Sequence, residues 1–337
     1  LALTLFIFFW ILVLIRMFYD LEIQSEYFII KAHKQRLWLF SLGLIIVPMV
    51  SIIKSINRID LAYSKKWIYR LGVVFLLISF FSVVQDASAT ERIGANKALD
   101  STSFGKTAIL ISIIAFYNMI SSVKQRKSFL FHSVIFLFGL YVGLRSGSRG
   151  PILAFLIVFF FWLSFKNNLN IRKGVFKFFI LISITVASQQ ILLNLINRIS
   201  PVTSVRIQST IKGSDVSTIN RFDSYHWFVQ EINKSPILGS HFARLQDGRF
   251  PGYAHNIFLD ILLGFGIIGL SIFLYIISKA ISNTHLSLNS GGNYWIGLLF
   301  LMFFVLSITS GAYYTNPDLN ITIVLTLLYF RSEPDEN

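Results

Sequence analysis

The first group in this sequence that could do chemistry is an arginine in a glycine- and serine-rich stretch. Residues 146–151 read Ser-Gly-Ser-Arg-Gly-Pro, and an apolar run follows. Glycine and serine let backbone N–H groups approach an anion, and a helix N-terminus adds partial positive charge. Because guanidinium binds phosphate through two parallel hydrogen bonds, Arg149 predicts a phosphate site, with Arg145 and Ser148 as further contacts. The alternative is a tight turn whose arginine reaches lipid headgroups.

A second group combines an arginine, a histidine and a carboxylate. Arg221 opens a predicted helix and is either a ligand-binding group or a solvated arginine paired with Asp223. His255 precedes an apolar run and is either structural or a base or hydrogen-bond donor near neutral pH. Asn256 either contacts substrate or caps the following helix. Asp260 lies one turn into that run, where a carboxylate is either functional or salt-bridged to an outer arginine.

Other kinds of site are disfavoured. The histidines His226, His241 and His255 follow no known metal-ligand spacing, and no paired acids accompany them, so we expect neither a metal nor a cofactor. No phosphate-loop signature supports a nucleotide-driven reaction. The sequence has no cysteine, which excludes disulfides and thiolate catalysis.

The elements that must position these residues are membrane spans. The chain is 54% hydrophobic with a mean hydropathy of +0.65, and 14% of its residues are charged, against roughly 25% in soluble domains. We therefore expect an all-α polytopic membrane protein that forms one integral membrane domain over residues 1–337. Because the sequence opens on Leu1, we also expect a natural N-terminus further upstream. The predicted spans are 2–18, 37–53, 67–84, 104–123, 129–144, 150–165, 175–196, 257–278, 294–310 and 315–330.

The basic residues predict the orientation of these ten spans. With the N-terminus in the cytoplasm, the inner connections and the span ends beside them hold 14 Lys and Arg residues, and the short outer connections with their span ends hold nine. Cytoplasmic loops accumulate Lys and Arg, which also accounts for the net charge of +14 without a nucleic-acid partner. The polar segment 197–256 then lies outside as a large periplasmic loop. Within it, 219–234 predicts an amphipathic helix on the membrane surface, with an apolar face of Ile219, Phe222, Tyr225, His226, Val229 and Ile232.

Together these stretches resemble the O-antigen polymerase and O-antigen ligase superfamily of bacterial inner-membrane proteins. The resemblance covers about residues 140–275, and His241 with Phe242 stands where many relatives carry another glycine. The matching stretches are Leu-Arg-Ser-Gly-Ser-Arg-Gly at 144–150, Asn-Arg-Phe-Asp-Ser-Tyr-His-Trp at 220–227, Ser-Pro-Ile-Leu-Gly at 235–239, His-Asn-Ile-Phe-Leu at 255–259 and Gly-Phe-Gly-Ile-Ile-Gly at 264–269.

The resemblance implies a metal-independent glycosyltransferase whose donor is a glycan linked to undecaprenyl diphosphate. Arg149 and Arg221 would grip the diphosphate at the periplasmic face, and His255 would serve the acceptor or the diphosphate. The Gly-Ser-Arg-Gly-Pro form and the Phe-Leu-Asp after His-Asn favour a polymerase of an O-antigen or capsule type of polysaccharide. Membrane lipid and a chain-length regulator protein are the further partners expected.

Three other functions remain open. A ligase would transfer the lipid-linked glycan to the lipid A-core. A flippase would bind the same lipid-linked sugar, but it would also need charges along a path through the bilayer, where Asp260 is nearly alone. A peptidoglycan-type polymerase would use an outer-loop carboxylate, Asp215 or Asp223, as its base.

Overall fold

The computed structural model describes residues 1–23, 29–81, 84–85, 93–94, 101–167, 170–245, 252–290 and 293–329. Its helices are α1 Ala2–Phe18, α2 Lys31–Trp38, α3 Val47–Ser55, α4 Leu61–Phe81, α5 Ser101–Ser121, α6 Arg126–Arg145, α7 Arg149–Phe165, α8 Ile171–Ala187, α9 Gln189–Ile199, α10 Pro201–Ile211, α11 Val216–Lys234, α12 Ile257–Ser290, α13 Trp295–Thr309 and α14 Pro317–Tyr329. A π-helical stretch, Leu39–Ile46, joins α2 to α3. Two short strands, β1 Val84–Gln85 and β2 Ile93–Gly94, pair antiparallel.

Several of these helices can cross a membrane, so the predicted all-α membrane class is confirmed. Among the described residues, five helical segments are long and apolar enough, and α8 with α9 would make a sixth if that bent pair is one span. The helices α7, α13 and α14 are apolar but shorter. The number of ten spans is therefore not confirmed. The five segments are Ala2–Ile23, Lys31–Arg58, Ser101–Ser121, Arg126–Arg145 and Ile257–Ser290.

Two predicted spans differ from the helices observed. Span 175–196 is not one straight helix, because α8 and α9 meet at an angle of 68° around Ser188. The Ser188 hydroxyl donates to the carbonyl of Ile184 (2.7 Å), a local bond of the kind that bends helices. Span 257–278 continues to Ser290, and the 34 residues of α12 would extend about 51 Å if straight, well beyond a hydrocarbon core of about 30 Å.

The chain divides into two compact units, each built from separate parts of the sequence. Unit 1 comprises Leu1–Arg58, Val216–Thr284 and Phe303–Asn337, and unit 2 comprises Ile59–Asp215 and His285–Met302. Arg221, His255 and Asp260 belong to unit 1, whereas Arg149 belongs to unit 2. The single membrane domain over residues 1–337 stays a prediction.

Aromatic side chains from distant parts of the sequence form the core of unit 1. The buried ring of Phe9 in α1 contacts Phe265 of α12 and Tyr313, with centroid distances of 5.5 and 6.1 Å. The indole N–H of Trp10 donates to the side-chain oxygen of Asn320 (3.1 Å), which satisfies a polar group that would be costly to bury alone. This core joins the first, twelfth and last helices.

Small residues allow close helix packing in unit 2. A Cβ added at Gly139 of α6 would lie 2.2 Å from the hydroxyl of Ser112 in α5. A Cβ added at Gly105 of α5 would lie 2.4 Å from the hydroxyl of Ser146. Membrane helices approach closely at such small residues, because apolar burial alone does not favour their association in lipid. At Gly105 this packing brings α5 against the turn that precedes Arg149.

Candidate functional site

Arg149 is the first residue of α7 and follows a tight turn that α10 holds in place. The turn passes through Gly147, whose φ of 68° lies in the left-handed region that favours glycine. The Thr203 hydroxyl donates to the carbonyl of Leu144 (2.6 Å), and the Arg206 guanidinium donates to the carbonyl of Gly147 (2.5 Å). Carbonyls at the C-terminal end of a helix such as α6 lack helical partners, so these bonds stabilise the turn.

The guanidinium of Arg149 has two partners in unit 2. One N–H group donates to the carboxylate of Asp215 at 2.8 Å, and another donates to the carbonyl of Arg206 at 3.2 Å. The side chains of Arg149 and Asp215 are 20% and 12% exposed, so this ion pair is only partly open to solvent. The predicted anion site therefore contains an anion from the chain itself.

The two further contacts predicted around Arg149 have different environments. Ser148 is 8% exposed, and its backbone N–H donates to the hydroxyl of Ser146 (3.3 Å). Arg145 is half-buried in the last turn of α6 and forms no hydrogen bond or ion pair with the described residues. As far as the described segments show, Arg145 therefore has donors left for a ligand, whereas Ser148 chiefly supports the turn.

In unit 1, the predicted helix 219–234 is confirmed as α11, and its predicted apolar face divides into two. Tyr225 and Ile232 pack against a buried cluster of Phe228, Ala254 and Leu263. The other apolar residues of that face lie exposed. Their exposed fractions are 45% for Ile219, 64% for Phe222 and 47% for Val229.

The helix α12 is broken at Gly266, and the loop after α11 forms hydrogen bonds with the backbone at this break. Gly266 has a φ of 59° and a ψ of −158°, a conformation that belongs almost only to glycine. The loop segment 236–242 satisfies the backbone groups freed by this break. The N–H of Ile267 donates to the carbonyl of Pro236 (2.9 Å), and the N–H of Ser240 donates to the carbonyl of Leu263 (2.7 Å). Non-helical backbone at membrane depth is tolerated only with such partners.

The far end of segment 236–242 is anchored to a carboxylate in the π-helical turn Tyr19–Ile23, which follows α1. The N–H of Phe242 donates to Asp20 at 2.7 Å, and the hydroxyl of Tyr313 donates to the carbonyl of Phe242 at 3.1 Å. Asp20 is 2% exposed and forms an ion pair with Arg16 at 3.0 Å. His241 therefore needs no glycine conformation, because the left-handed residue of this turn is Gly239, with a φ of 78°.

Asp260 and Asn256 shape the turn that presents His255. The fully buried carboxylate of Asp260 accepts from the backbone N–H of Ala254 (2.8 Å), and its other oxygen has no partner in the described part of the chain. The side-chain oxygen of Asn256 accepts from the N–H of Phe258 (3.0 Å), so Asn256 caps α12. His255 has a φ of 56°, a left-handed conformation of the kind that clusters at functional sites.

The electrostatics of this group favour a neutral imidazole beside a cation. Burial lowers the pKa of His255 from its ordinary value of 6.5, and the nearby Arg221 guanidinium lowers it further. The pKa of Tyr225 is raised by burial, and Arg221 opposes that shift. Arg221 thus lies near both side chains. Chemically, a cation that can bind an anion lies beside an imidazole that can accept a proton at neutral pH.

Arg221 and His255 keep hydrogen-bonding atoms that no residue in the described part of the chain satisfies. The half-buried Arg221 forms no hydrogen bond or ion pair with the residues that the structure describes, so the predicted alternative of a pair with Asp223 is not seen there. The Nδ1 atom of His255 is buried and has no partner among those residues. Its ring packs against Tyr253 with a centroid distance of 4.4 Å. No salt bridge to Asp260 occurs within the described segments.

Two supporting residues carried no signal in the sequence. Asp20 lies 222 positions from the Phe242 N–H that it accepts, and Arg206 acts through its contacts with the turn at Gly147. No motif surrounds either residue, so only the folded chain reveals them. Within the described residues, no group of three or more His, Asp or Glu side chains could hold a metal ion.

Comparison with known proteins supports the resemblance found in the motifs. Residues 134–274 match a family model described as O-antigen ligase. No curated protein matches the chain, and no solved structure matches it. The matched segment includes Arg149, Arg221 and His255. Over residues 134–274, less than half of the chain, the sequence is similar to this family, which is consistent with the O-antigen polymerase and ligase superfamily.

Proposed function

We propose that this protein polymerises undecaprenyl-diphosphate-linked oligosaccharide repeats of a surface polysaccharide at the periplasmic face of the bacterial inner membrane. The observation that carries the proposal is that Arg221 lies near enough to His255 to lower the pKa of its imidazole. A half-buried guanidinium that forms no hydrogen bond or ion pair with the described residues lies near an imidazole whose pKa is lowered by burial and by that guanidinium. A phosphate-bearing donor and a hydroxyl acceptor need these two kinds of group.

The transfer requires one bond to form as another breaks. A sugar hydroxyl of one carrier-linked glycan attacks the anomeric carbon of a second, and the bond from that carbon to the diphosphate oxygen breaks. His255 would accept the hydroxyl proton, since its neutral form is favoured near pH 7. Arg221 and Arg149 would stabilise the charge that develops on the departing diphosphate, without a metal ion.

The proposal also includes an arrangement in the membrane. Arg149 would bind a phosphate group of the donor, with Arg145 and Asn256 as further substrate contacts. Ten spans and a cytoplasmic N-terminus would place segment 197–256 in the periplasm, and the exposed apolar residues of α11 would then face the membrane surface or the prenyl chain. Asp260 would support His255 through Ala254 rather than contact the substrate, since it is fully buried.

Lysine substitutions test the two arginines. Arg149→Lys and Arg221→Lys should each lower the polymerisation rate roughly 30- to 1000-fold, because a point charge cannot replace the bidentate fork. The exposed Arg198 provides a matched control, and Arg198→Lys should have no effect. If both lysine variants polymerise at the wild-type rate at equal protein levels, these arginines contact only lipid headgroups and do not act in the transfer.

Gel profiles of polysaccharide from cells that carry His255→Ala separate the candidate functions. For a polymerase, we expect single repeats on the core and no ladder, whereas His226→Ala, in an exposed histidine of α11, should leave the ladder intact. The description of the matching family favours a ligase as the second candidate. Loss of a ligase would leave long chains on the carrier lipid and none on the core. Loss of a flippase would trap repeats on the cytoplasmic side. An unchanged ladder would remove His255 from the mechanism.

Single cysteines test the orientation, because the chain has no native cysteine. Ser214 is exposed between α10 and α11, and Ser290 is exposed at the end of α12. In intact cells, an impermeant thiol reagent should label Ser214→Cys but not Ser290→Cys. The opposite labelling would overturn the periplasmic location of the loop.

A further inference from the structure

The anion site at Arg149 is occupied by a carboxylate of the same chain. The Asp215 oxygen lies 2.8 Å from the guanidinium, which is the distance of a charge-assisted hydrogen bond. A second N–H group of Arg149 is bound to the carbonyl of Arg206. A ligand phosphate that uses the same guanidinium face therefore meets a competing anion.

Carboxylate and phosphate oxygens compete for the same guanidinium donors, because both accept from the planar N–H fork. The pair at Arg149 is 20% and 12% exposed, so a detached Asp215 would regain water only if its own segment moves. The turn that directly precedes Asp215 is uncrowded. A Cβ added at Gly213 would have no atom within 4 Å, and Ser214 is exposed.

We infer that Asp215 is an internal counter-anion of Arg149, which a phosphate oxygen of the ligand displaces. This inference rests on the proposed function, since it deepens the role of Arg149 in binding a diphosphate. It assigns Asp215 a different role from that of a base. The carboxylate neutralises the guanidinium while the site is empty and limits the affinity for phosphate-bearing ligands, which helps the diphosphate product to leave.

Binding of inorganic diphosphate to the purified full chain in detergent, measured by calorimetry, tests the inference. Asp215→Asn keeps the size of the side chain and removes its charge, so it should tighten diphosphate binding roughly 5- to 30-fold. Asp223→Asn is the matched control, because Asp223 is exposed in α11, and its affinity should equal that of the wild type. In an Arg149→Ala background, Asp215→Asn should change the affinity less than twofold.

Each outcome decides the inference separately from the polymerase proposal. The inference would be overturned if Asp215→Asn binds diphosphate with unchanged affinity, or if it tightens binding equally in the Arg149→Ala background. It would also be overturned if neither the wild type nor Asp215→Asn binds diphosphate. Lost glycan transfer with unchanged diphosphate affinity would instead make Asp215 a base, which also overturns it. If Asp215→Asn binds diphosphate more tightly but the wild-type protein makes no polymer, the inference stands and the polymerase proposal is wrong. Thermal unfolding curves identify any variant that has not folded.

Discussion

The break in α12 yields the sharpest structural prediction, because it tests whether segment 236–242 is held as observed. In Gly266→Ala, the new Cβ would lie 2.2 Å from the carbonyl oxygen of Ile237 and 2.7 Å from the amide nitrogen of Leu238. Real Cβ atoms do not approach backbone atoms so closely. Either Gly266 or the segment must therefore move, and the hydrogen bond from Ile267 N–H to the carbonyl of Pro236 is the first to be lost.

The cost of Gly266→Ala has two parts. A non-glycine residue at φ 59° and ψ −158° carries about 1–3 kcal/mol of backbone strain. Loss of the bonds at Ile267 and Ser240 costs about 0.5–1.5 kcal/mol each. We therefore expect the free energy of unfolding to fall by about 2–6 kcal/mol. Gly213→Ala is the matched control, since Gly213 also has a positive φ, of 70°, but no crowding, so about 1–2 kcal/mol is expected there.

The assay is unfolding in mixed micelles followed by tryptophan fluorescence, with transfer activity measured on the same preparations. Gly266→Ala should lose both stability and activity, because segment 236–242 connects α11 to the turn that presents His255. Equal unfolding free energies for Gly266→Ala and Gly213→Ala would show that the close approach of Ile237 to α12 is absent and that segment 236–242 is not held against Gly266.

Two further predictions concern Asp20 and His255. Asp20→Ala should lower the free energy of unfolding by about 1–3 kcal/mol, because it leaves the buried N–H of Phe242 without its acceptor. Asp223→Ala, at an exposed position, is the control. Equal unfolding curves for the two variants would show that the bond from Phe242 to Asp20 does not stabilise the fold. The transfer rate should hold at pH 7 and at pH 6.5 and fall only at lower pH, because burial and Arg221 lower the pKa of His255 from 6.5 and the protonated imidazole cannot act as a base. In Arg221→Gln the acid limb of the pH profile of the transfer rate, normalised to its maximum, should move to higher pH. A profile that does not move would show that Arg221 does not influence the pKa of His255.

The local structures at the motifs, a turn and a helix cap, were predictable from the sequence, because each depends only on neighbouring residues. Glycine, serine and proline around Arg149 predict a turn before a helix, and the observed turn has its left-handed residue at Gly147. Asn256 caps α12 as its type and position suggest. Hydropathy indicates helices at all ten predicted spans, since apolar composition over a sufficient length is a property of the sequence alone.

Hydropathy could not decide which helices are long, straight spans. The bend at Ser188 and the break at Gly266 depend on where freed backbone groups find partners. The apolar face of α11 was only partly predictable, because periodicity identifies apolar positions but not the neighbour that covers them. Phe228 became the buried centre through contact with Ala254 and Leu263, which lie in a different part of the sequence.

The amino-acid sequence by itself determined that this is a helical membrane protein with arginines and a histidine in ordered motifs. Composition and short-range spacing suffice for that, because apolar length and turn chemistry act over a few residues. Only the tertiary structure decided the partners of those motifs. Asp215 pairs with Arg149 across 66 positions, and Asp20 holds Phe242 across 222. Such contacts depend on how helices pack, and no local pattern in the sequence encodes them.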